Sequence, residues 1–141
     1  MFKRVLIANR GEIAIRIARA AASLGVDSVA IFTKADALSL HTKLAGSARE
    51  IAGDAVRGYL DIEAVIAAAK ASGSDCVHPG YGFLSENTLF AERCKAEGLR
   101  FIGPSPASLK LFGDKVAARD FAQAQGVPVI PGAPKLASSD D

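Results

Sequence analysis

The sequence predicts an α/β domain, an open parallel sheet with helices on both of its faces, and three observations lead there. Short apolar runs such as Val5-Leu6-Ile7-Ala8 are free of polar interruption, as in strands covered on both sides. Segments with apolar residues at helical spacing lie between these runs. Glycines close those segments at Gly25, Gly73 and Gly98, and a chain that alternates strand and helix in this way winds into a parallel sheet through right-handed crossovers.

The elements follow in order. Residues 5–8 make the first strand. The helix after it carries Ile13, Ile17, Ala20, Ala21 and Leu24 as an inward stripe, with Glu12, Arg16, Arg19 and Ser23 on a second stripe. Residues 28–32 read as the second strand, 33–39 as a polar loop, 40–44 as a short helix and 49–52 as a third, weaker strand. Asp61 caps a helix with Ile62, Val65, Ile66 and Ala69 inward. A short strand over 75–78 leads to a helix over 87–97 with Phe90 and Cys94 inward, for which Ser85 can serve as cap, and residues 100–102 form the next strand. Gly103-Pro104-Ser105-Pro106 is a turn into a short helix, and Asp114 caps a last helix whose inward residues are Ala117, Phe121 and Ala124. Residues 127–132 leave in extended form, so the domain is expected over 1–132, with 133–141 as a linker or tail.

A chain of 141 residues is enough for one domain with a core of its own. Half of the residues are hydrophobic, 23% are charged and the net charge is +2, which excludes a disordered chain and a phosphate-neutralising surface; no nucleic-acid partner is expected. Cys76 and Cys94 lack the neighbours a zinc site requires and read as buried free thiols. The apolar run near the N-terminus stops after four residues, too short for a signal segment or a membrane span, so the expectation is a cytoplasmic protein without a membrane partner.

Three stretches could carry chemistry. The turn Asn9-Arg10-Gly11-Glu12 stands where a dinucleotide-binding fold places Gly-x-Gly-x-x-Gly, yet holds one glycine only, which disfavours NAD; Asn9 and Arg10 can simply satisfy the turn. Glu12 precedes Arg16 by four residues and Arg16 shares a face with Arg19, a spacing that suits a solvated stripe and a subunit interface alike. In CVHPGYGFLSEN, Pro79 stops the strand, Gly80 and Gly82 permit left-handed backbone or close approach of a ligand, and Glu86 sits near the positive end of the next helix. Tyr81 between the glycines either fills a gap or is held out on a tight loop. Lys115, after Gly113-Asp114, opposes its helix dipole by about 0.3 to 1 kcal/mol. A bound phosphate would compensate, as would solvent or pairing with Asp114 or Glu97.

Taken together, RVLIANRGEIAIRIARAA, YLDIEAVIAAA, HPGYGFLSEN, FIGPS and GDKVAARDFA occur in an order and at spacings that resemble the N-terminal domain of biotin carboxylase. That family belongs to the ATP-grasp ligases and includes the biotin carboxylase parts of acetyl-CoA, propionyl-CoA and pyruvate carboxylases. The resemblance covers residues 2–132 and implies a Rossmann-like, pre-ATP-grasp fold. It implies a reaction in which ATP and bicarbonate give carboxyphosphate, with magnesium or manganese, and the carboxyl group then passes to N1 of biotin. By the same resemblance Lys115 reaches the ATP phosphates, Tyr81 and Gly82 form a wall facing the biotin ring, and Glu86 fixes their loop. No catalytic residue and no metal ligand is expected within these residues.

The implied partners are an ATP-grasp and a C-terminal domain not contained in the sequence, a biotin carboxyl carrier domain, and a second copy meeting the first helix at Arg16 and Arg19. Ser23 stands where bacterial relatives often carry an acidic residue of that dimer contact. That departure weakens the expectation of a like dimer. Because the resemblance places the lid over ATP, the metal-binding carboxylates, the bicarbonate base and the biotin-orienting arginine outside this sequence, the chain by itself is expected to be inactive. A reading from a different class is a non-catalytic dimerisation or interaction module of a carboxylase complex.

Overall fold

The computed structural model describes residues 1–130, and its centre is β1 (Arg4–Ile7). Around it five strands lie in the order β3-β2-β1-β4-β5, where β2 is Asp27–Phe32, β3 Ser47–Glu50, β4 Cys76–His78 and β5 Arg100–Phe101. Every pairing is parallel, with Arg4 opposite Asp27, Val5 opposite Cys76, Val29 opposite Ser47 and Cys76 opposite Arg100. The open parallel sheet expected from the apolar runs is the one observed.

Strand alternation divides the core into two layers. Leu6, Ala8, Val29, Ile31 and Val77 face one side, where they meet Tyr59 of α3 (Ala55–Tyr59), Val65 and Ile66 of α4 (Ile62–Ala71), and Phe90 and Cys94 of α5 (Thr88–Ala96). Val5, Ile7 and Cys76 face the other side, which α1 (Gly11–Ser23) covers. The residues α1 buries are Ala14, Ala18 and Ala21. Of the apolar stripe read in the sequence, Ala21 is buried and Ile17, half-buried, packs against Ile7, Ala14 and Ala18, whereas Ile13 is half-buried, Ala20 is exposed and Leu24 is 71% exposed. Three small side chains let the helix lie close on Val5 and Ile7, which turns the larger apolar residues to its flank. There they border an open groove of about 580 Å³ together with Phe2, Val26 and Ile102.

Local signals account for most boundaries. Asp61 Oδ1 accepts from the Ala64 N–H at 3.0 Å and caps α4 as expected. The cap of α5 is Asn87, whose Oδ1 accepts from the Phe90 N–H at 2.9 Å. Ser85 instead donates its backbone N–H to the Gly82 carbonyl at 2.9 Å, inside the preceding loop. The third strand begins at Ser47 rather than at residue 49, and all four of its residues are exposed, as befits the edge of the sheet. Two short elements were not legible: a 3-10 turn over Lys34–Asp36 and α3. The short helix before β3 is α2 (His41–Leu44).

Arg93 of α5 grips Glu63 of α4 through two 2.8 Å bonds and reaches Glu97 at 2.8 Å, and Lys70 pairs with Glu97 as well. The hydrogen bond from Lys70, seconded by Arg93, pushes the Glu97 carboxyl down to about 2. Beyond β5, α6 (Pro106–Gly113) packs on α5, and α7 (Lys115–Ala124) packs on α6. That succession carries α7 away from the sheet, so none of its residues is buried. Of its expected inward residues, Ala117 is half-buried, Ala124 is exposed and Phe121 remains 42% exposed, edge-on to Phe112 at 6.0 Å. The expected extended exit is described as far as residue 130; residues 131–132 and the predicted tail over 133–141 lie outside the described residues. Among those described, no helix is long and apolar enough to cross a membrane.

Candidate functional site

From β1 the chain winds outward through β2 to β3, and β4 and β5 fill the opposite side of the sheet. The strand order therefore reverses between β1 and β4, and crevices of ligand-binding α/β folds open beyond the carboxyl ends of strands at such a point. Asn9 follows β1 and Pro79 to Tyr81 follow β4, so the switch point joins the two stretches singled out in the sequence. Asn9 is 1% exposed. Its Nδ2 donates to the carbonyls of Pro79 at 2.7 Å and Tyr81 at 2.9 Å, while its Oδ1 accepts from the Arg10 N–H at 2.9 Å. One buried amide thus satisfies three backbone groups of two loops.

The glycines on either side of Tyr81 serve different ends. Gly80 has φ +67°, and a Cβ there would stand 2.7 Å from Asn9 Nδ2 and 2.7 Å from Ile13 Cγ2. Gly82 has φ +68° with nothing within 4 Å of such a Cβ, which leaves its face open to an approaching ring. Between them Tyr81 is 71% exposed; it is held out on the loop and fills no gap. The Gly80 N–H donates to His78 Nδ1 at 3.0 Å, and burial lowers the His78 pKa below its ordinary value. Leu84, 2% exposed, anchors the far end of the loop.

A second set of contacts lies behind Phe83, which has a Cβ yet adopts φ +42°. Its ring stacks on Tyr59, with centroids 5.3 Å apart and planes at 21°. The Tyr59 hydroxyl donates to Asp36 Oδ2 at 2.9 Å, and Arg10 Nη1 reaches the same oxygen at 3.3 Å. The Arg10 guanidinium carbon is 5.8 Å from the Tyr59 ring centroid and 5.9 Å from that of Phe83. Burial raises the Asp36 pKa, but hydrogen bonds from Tyr59, Ser39 and Arg10 outweigh it and hold the carboxyl below its ordinary value. Burial, and then the Asp36 carboxylate, push the Tyr59 phenol far above its usual range, so it stays a donor. Sequence reasoning missed Asp36, Tyr59 and Phe83, because no local spacing connects them.

The remaining candidates are spread out. Arg16 pairs with Glu12 at 3.7 Å, both exposed, and the two lie on the rim of the groove that Tyr81 also borders. Arg19 is exposed on the same helix, and Ser23 turns its hydroxyl back to the Ala20 carbonyl at 2.8 Å. Glu86 is exposed and makes no hydrogen bond or ion pair among the described residues; the loop support expected of it is supplied there by Asn9. Lys115 is the first residue of α7 and exposed, without an ion pair among the described residues, and Glu97 is already engaged with Lys70 and Arg93. Asp114 Oδ1 accepts from the N–H groups of Val116 at 2.9 Å and Ala117 at 3.0 Å. The amides of Val116 and Ala117 are thus taken by the cap, while the ammonium of Lys115 is exposed. Among the described residues no cluster of three His, Cys, Asp or Glu could hold a metal ion. Both cysteines are free and buried, and burial pushes Cys76 up to about 12 and Cys94 to about 11.

A parallel sheet that reverses its strand order at β1, with a fastened loop and a projecting aromatic at that point, defines an open, doubly wound α/β domain. The chain belongs to the biotin carboxylase family: the family described as "Biotin carboxylase, N-terminal domain" matches residues 1–109. Biotin carboxylase 2 of Bacillus subtilis (strain 168) is 52% identical over 133 residues, which cover 94% of this chain and 30% of that protein. The solved biotin carboxylase domain of a single-chain bacterial carboxylase is 53% identical with a TM-score of 0.90, over 93% of this chain and 31% of that one. The biotin carboxylase domain of a thermophilic 2-oxoglutarate carboxylase, solved bound to ADP without magnesium, is 40% identical with a TM-score of 0.92, over 99% and 31%. The chain therefore spans about three-tenths of the length of these relatives.

Proposed function

We propose that this domain contributes one wall of the biotin site and one cation of the ATP site to a ligase that carboxylates biotin on a carrier domain with ATP and bicarbonate. The observation that carries the reading is the loop at the switch point, where Asn9 holds the backbone while Tyr81 projects and Gly82 leaves open space beside it. A planar ureido ring fits against such a platform, with the aromatic edge on one side and bare backbone on the other. Glu86, exposed beside the same loop, is assigned a supporting role that would need a partner beyond the described residues. Lys115 supplies the positive charge toward the ATP phosphates. ATP, with its magnesium or manganese, supplies the phosphoryl group that activates bicarbonate; the carboxylates that hold the metal belong to the further domains found in the longer relatives.

The outer face of α1 supports a second role. Arg16 and Arg19 are exposed there, Arg16 on the rim of an apolar groove, a composition suited to contact with another protein surface, and we assign these two arginines to a subunit or domain interface. The protein is placed in the cytoplasm on the same reading.

A chimaera tests the proposal. Residues 1–130 replace the matching region of the B. subtilis biotin carboxylase 2, and bicarbonate-dependent ATP hydrolysis is measured with free biotin. Turnover is expected, with Tyr81→Ala raising KM for biotin and leaving KM for ATP in place. A folded chimaera without turnover, or one in which Tyr81→Ala alters only the ATP dependence, overturns it.

A further inference from the structure

We infer that Arg10 is the positioning residue of the Tyr81 wall: its guanidinium clamps the Phe83 ring against Tyr59 and Asp36, and so sets the direction in which Gly82 and Tyr81 project. The inference rests on the biotin-site reading above and extends it to a residue that does not itself face the ligand.

Phe83 has a Cβ yet occupies left-handed backbone at φ +42°, a conformation such a residue keeps only where its surroundings hold it. Phe83 packs against the main core, with Tyr59 beneath its ring at 5.3 Å, and the one charged group at the ring is Arg10 beside it at 5.9 Å among the described residues. Tyr59 cannot yield, since it is fully buried and its hydroxyl donates to Asp36. Asp36 in turn accepts from Ser39 Oγ at 3.2 Å and is paired with Arg10. Arg10 meets Asp36, Tyr59 and Phe83 at once, through charge on the carboxylate and through a guanidinium whose carbon is nearly equidistant from the two stacked rings.

The position of Arg10 in the chain adds to this. It follows Asn9 directly, and Asn9 holds the carbonyls of Pro79 and Tyr81. The dipeptide after β1 therefore fixes the loop on both sides of Gly82, by an amide at residues 79 and 81 and by a guanidinium at residue 83. With Arg10 shortened to an uncharged stem, Phe83 is free to return to ordinary backbone angles, and the peptide joining it to Gly82 turns with it. The residue beyond, Leu84, is buried, so the rearrangement is taken up on the side of Gly82 and Tyr81.

Arg10→Met keeps the apolar stem and removes the planar cation, whereas Arg10→Lys keeps a charge for Asp36 without the flat face. In the 141-residue chain, hydrogen exchange over residues 80–85 reports the loop and thermal melting reports the fold. In the chimaera, KM for biotin, KM for ATP and kcat report the site. Arg10→Met is expected to speed exchange in the loop and to raise KM for biotin by about tenfold with KM for ATP unchanged; Arg10→Lys is expected to recover the melting temperature but less than half of the change in KM for biotin. The inference is overturned if Arg10→Met lowers the melting temperature while loop exchange and KM for biotin stay as in the parent, if both KM values shift together, or if Arg10→Lys restores the biotin KM completely. A chimaera inactive with Arg10 intact refutes the biotin-site reading instead, and the exchange data then judge the clamp alone.

Discussion

Replacing Gly80 by alanine puts a Cβ 2.7 Å from Asn9 Nδ2 and 2.7 Å from Ile13 Cγ2, on backbone at φ +67°. Two costs add. Left-handed backbone with a Cβ costs roughly 1 to 2 kcal/mol. Asn9 must also withdraw its amide, and the hydrogen bonds to Pro79 and Tyr81 that it gives up are worth about 0.5 to 1.5 kcal/mol each. The expected destabilisation is therefore about 2 to 5 kcal/mol. Gly82→Ala is the control: its backbone angle is the same and its surroundings are empty, so only about 1 to 2 kcal/mol is expected. Urea denaturation of the 141-residue chain measures both as shifts of the midpoint at constant m. A double-mutant cycle with Asn9→Ala isolates the contact with the amide, because an alanine at 80 then clashes with Ile13 alone; a coupling of about 1 to 3 kcal/mol is expected. Equal losses for the two glycines, or no coupling to Asn9, would refute the account of how the loop is held.

Three further outcomes are expected. His78 accepts the Gly80 N–H through Nδ1, and burial lowers its folded pKa. Its contribution is therefore complete above about pH 6.5 and declines as the pH falls from there through the folded value, since the unfolded chain binds the proton first; stability measured from pH 8 to pH 5 should fall more steeply in the parent than in His78→Asn. Lys115→Gln should change stability by no more than a few tenths of a kcal/mol, for its charge opposes the dipole of α7, yet in the chimaera it should raise KM for ATP about ten- to hundredfold, as loss of a charge-assisted phosphate contact does; an unchanged ATP dependence would remove Lys115 from the site. The 141-residue chain alone should show no bicarbonate-dependent ATP hydrolysis, which repurified protein assayed with magnesium and with manganese would check.

The parts of the fold legible in the sequence were those with a local cause. Uninterrupted apolar runs marked four of the five strands, and Asp61 and Asp114 announced their helices because a cap acts within three residues. The stripe of α1 was misjudged for a physical reason: hydrophobic size suggested isoleucine inward, whereas close packing on a flat sheet favoured Ala14, Ala18 and Ala21. In α7 the helix was legible but its burial was not: the helix packs on α6, where Phe121 meets Phe112, and none of its residues is buried, since amphipathicity states that a face is apolar without stating how much of it is covered. At the site, the glycines and Tyr81 were legible as a loop. Asn9 was not legible as its fastener, because the bonds it makes cross some 70 residues, and separations of 26 residues and more hid the meeting of Arg10 with Asp36, Tyr59 and Phe83.

The central position of β1 has a bearing on the order of events as the chain is made. β1 finds its first neighbour when Asp27 to Ala30 arrive, but its other side stays unpaired until Cys76 to His78 have emerged. At ordinary elongation rates those 71 residues between Val5 and Cys76 take about 4 to 14 s, long compared with hairpin or helix formation. Through that interval the buried amide of Asn9 has no carbonyl to meet, and Arg10 has no Phe83 to hold. The loop that carries Tyr81 therefore takes its geometry only after β4 has joined β1, while α5, β5, α6 and α7 are still to follow.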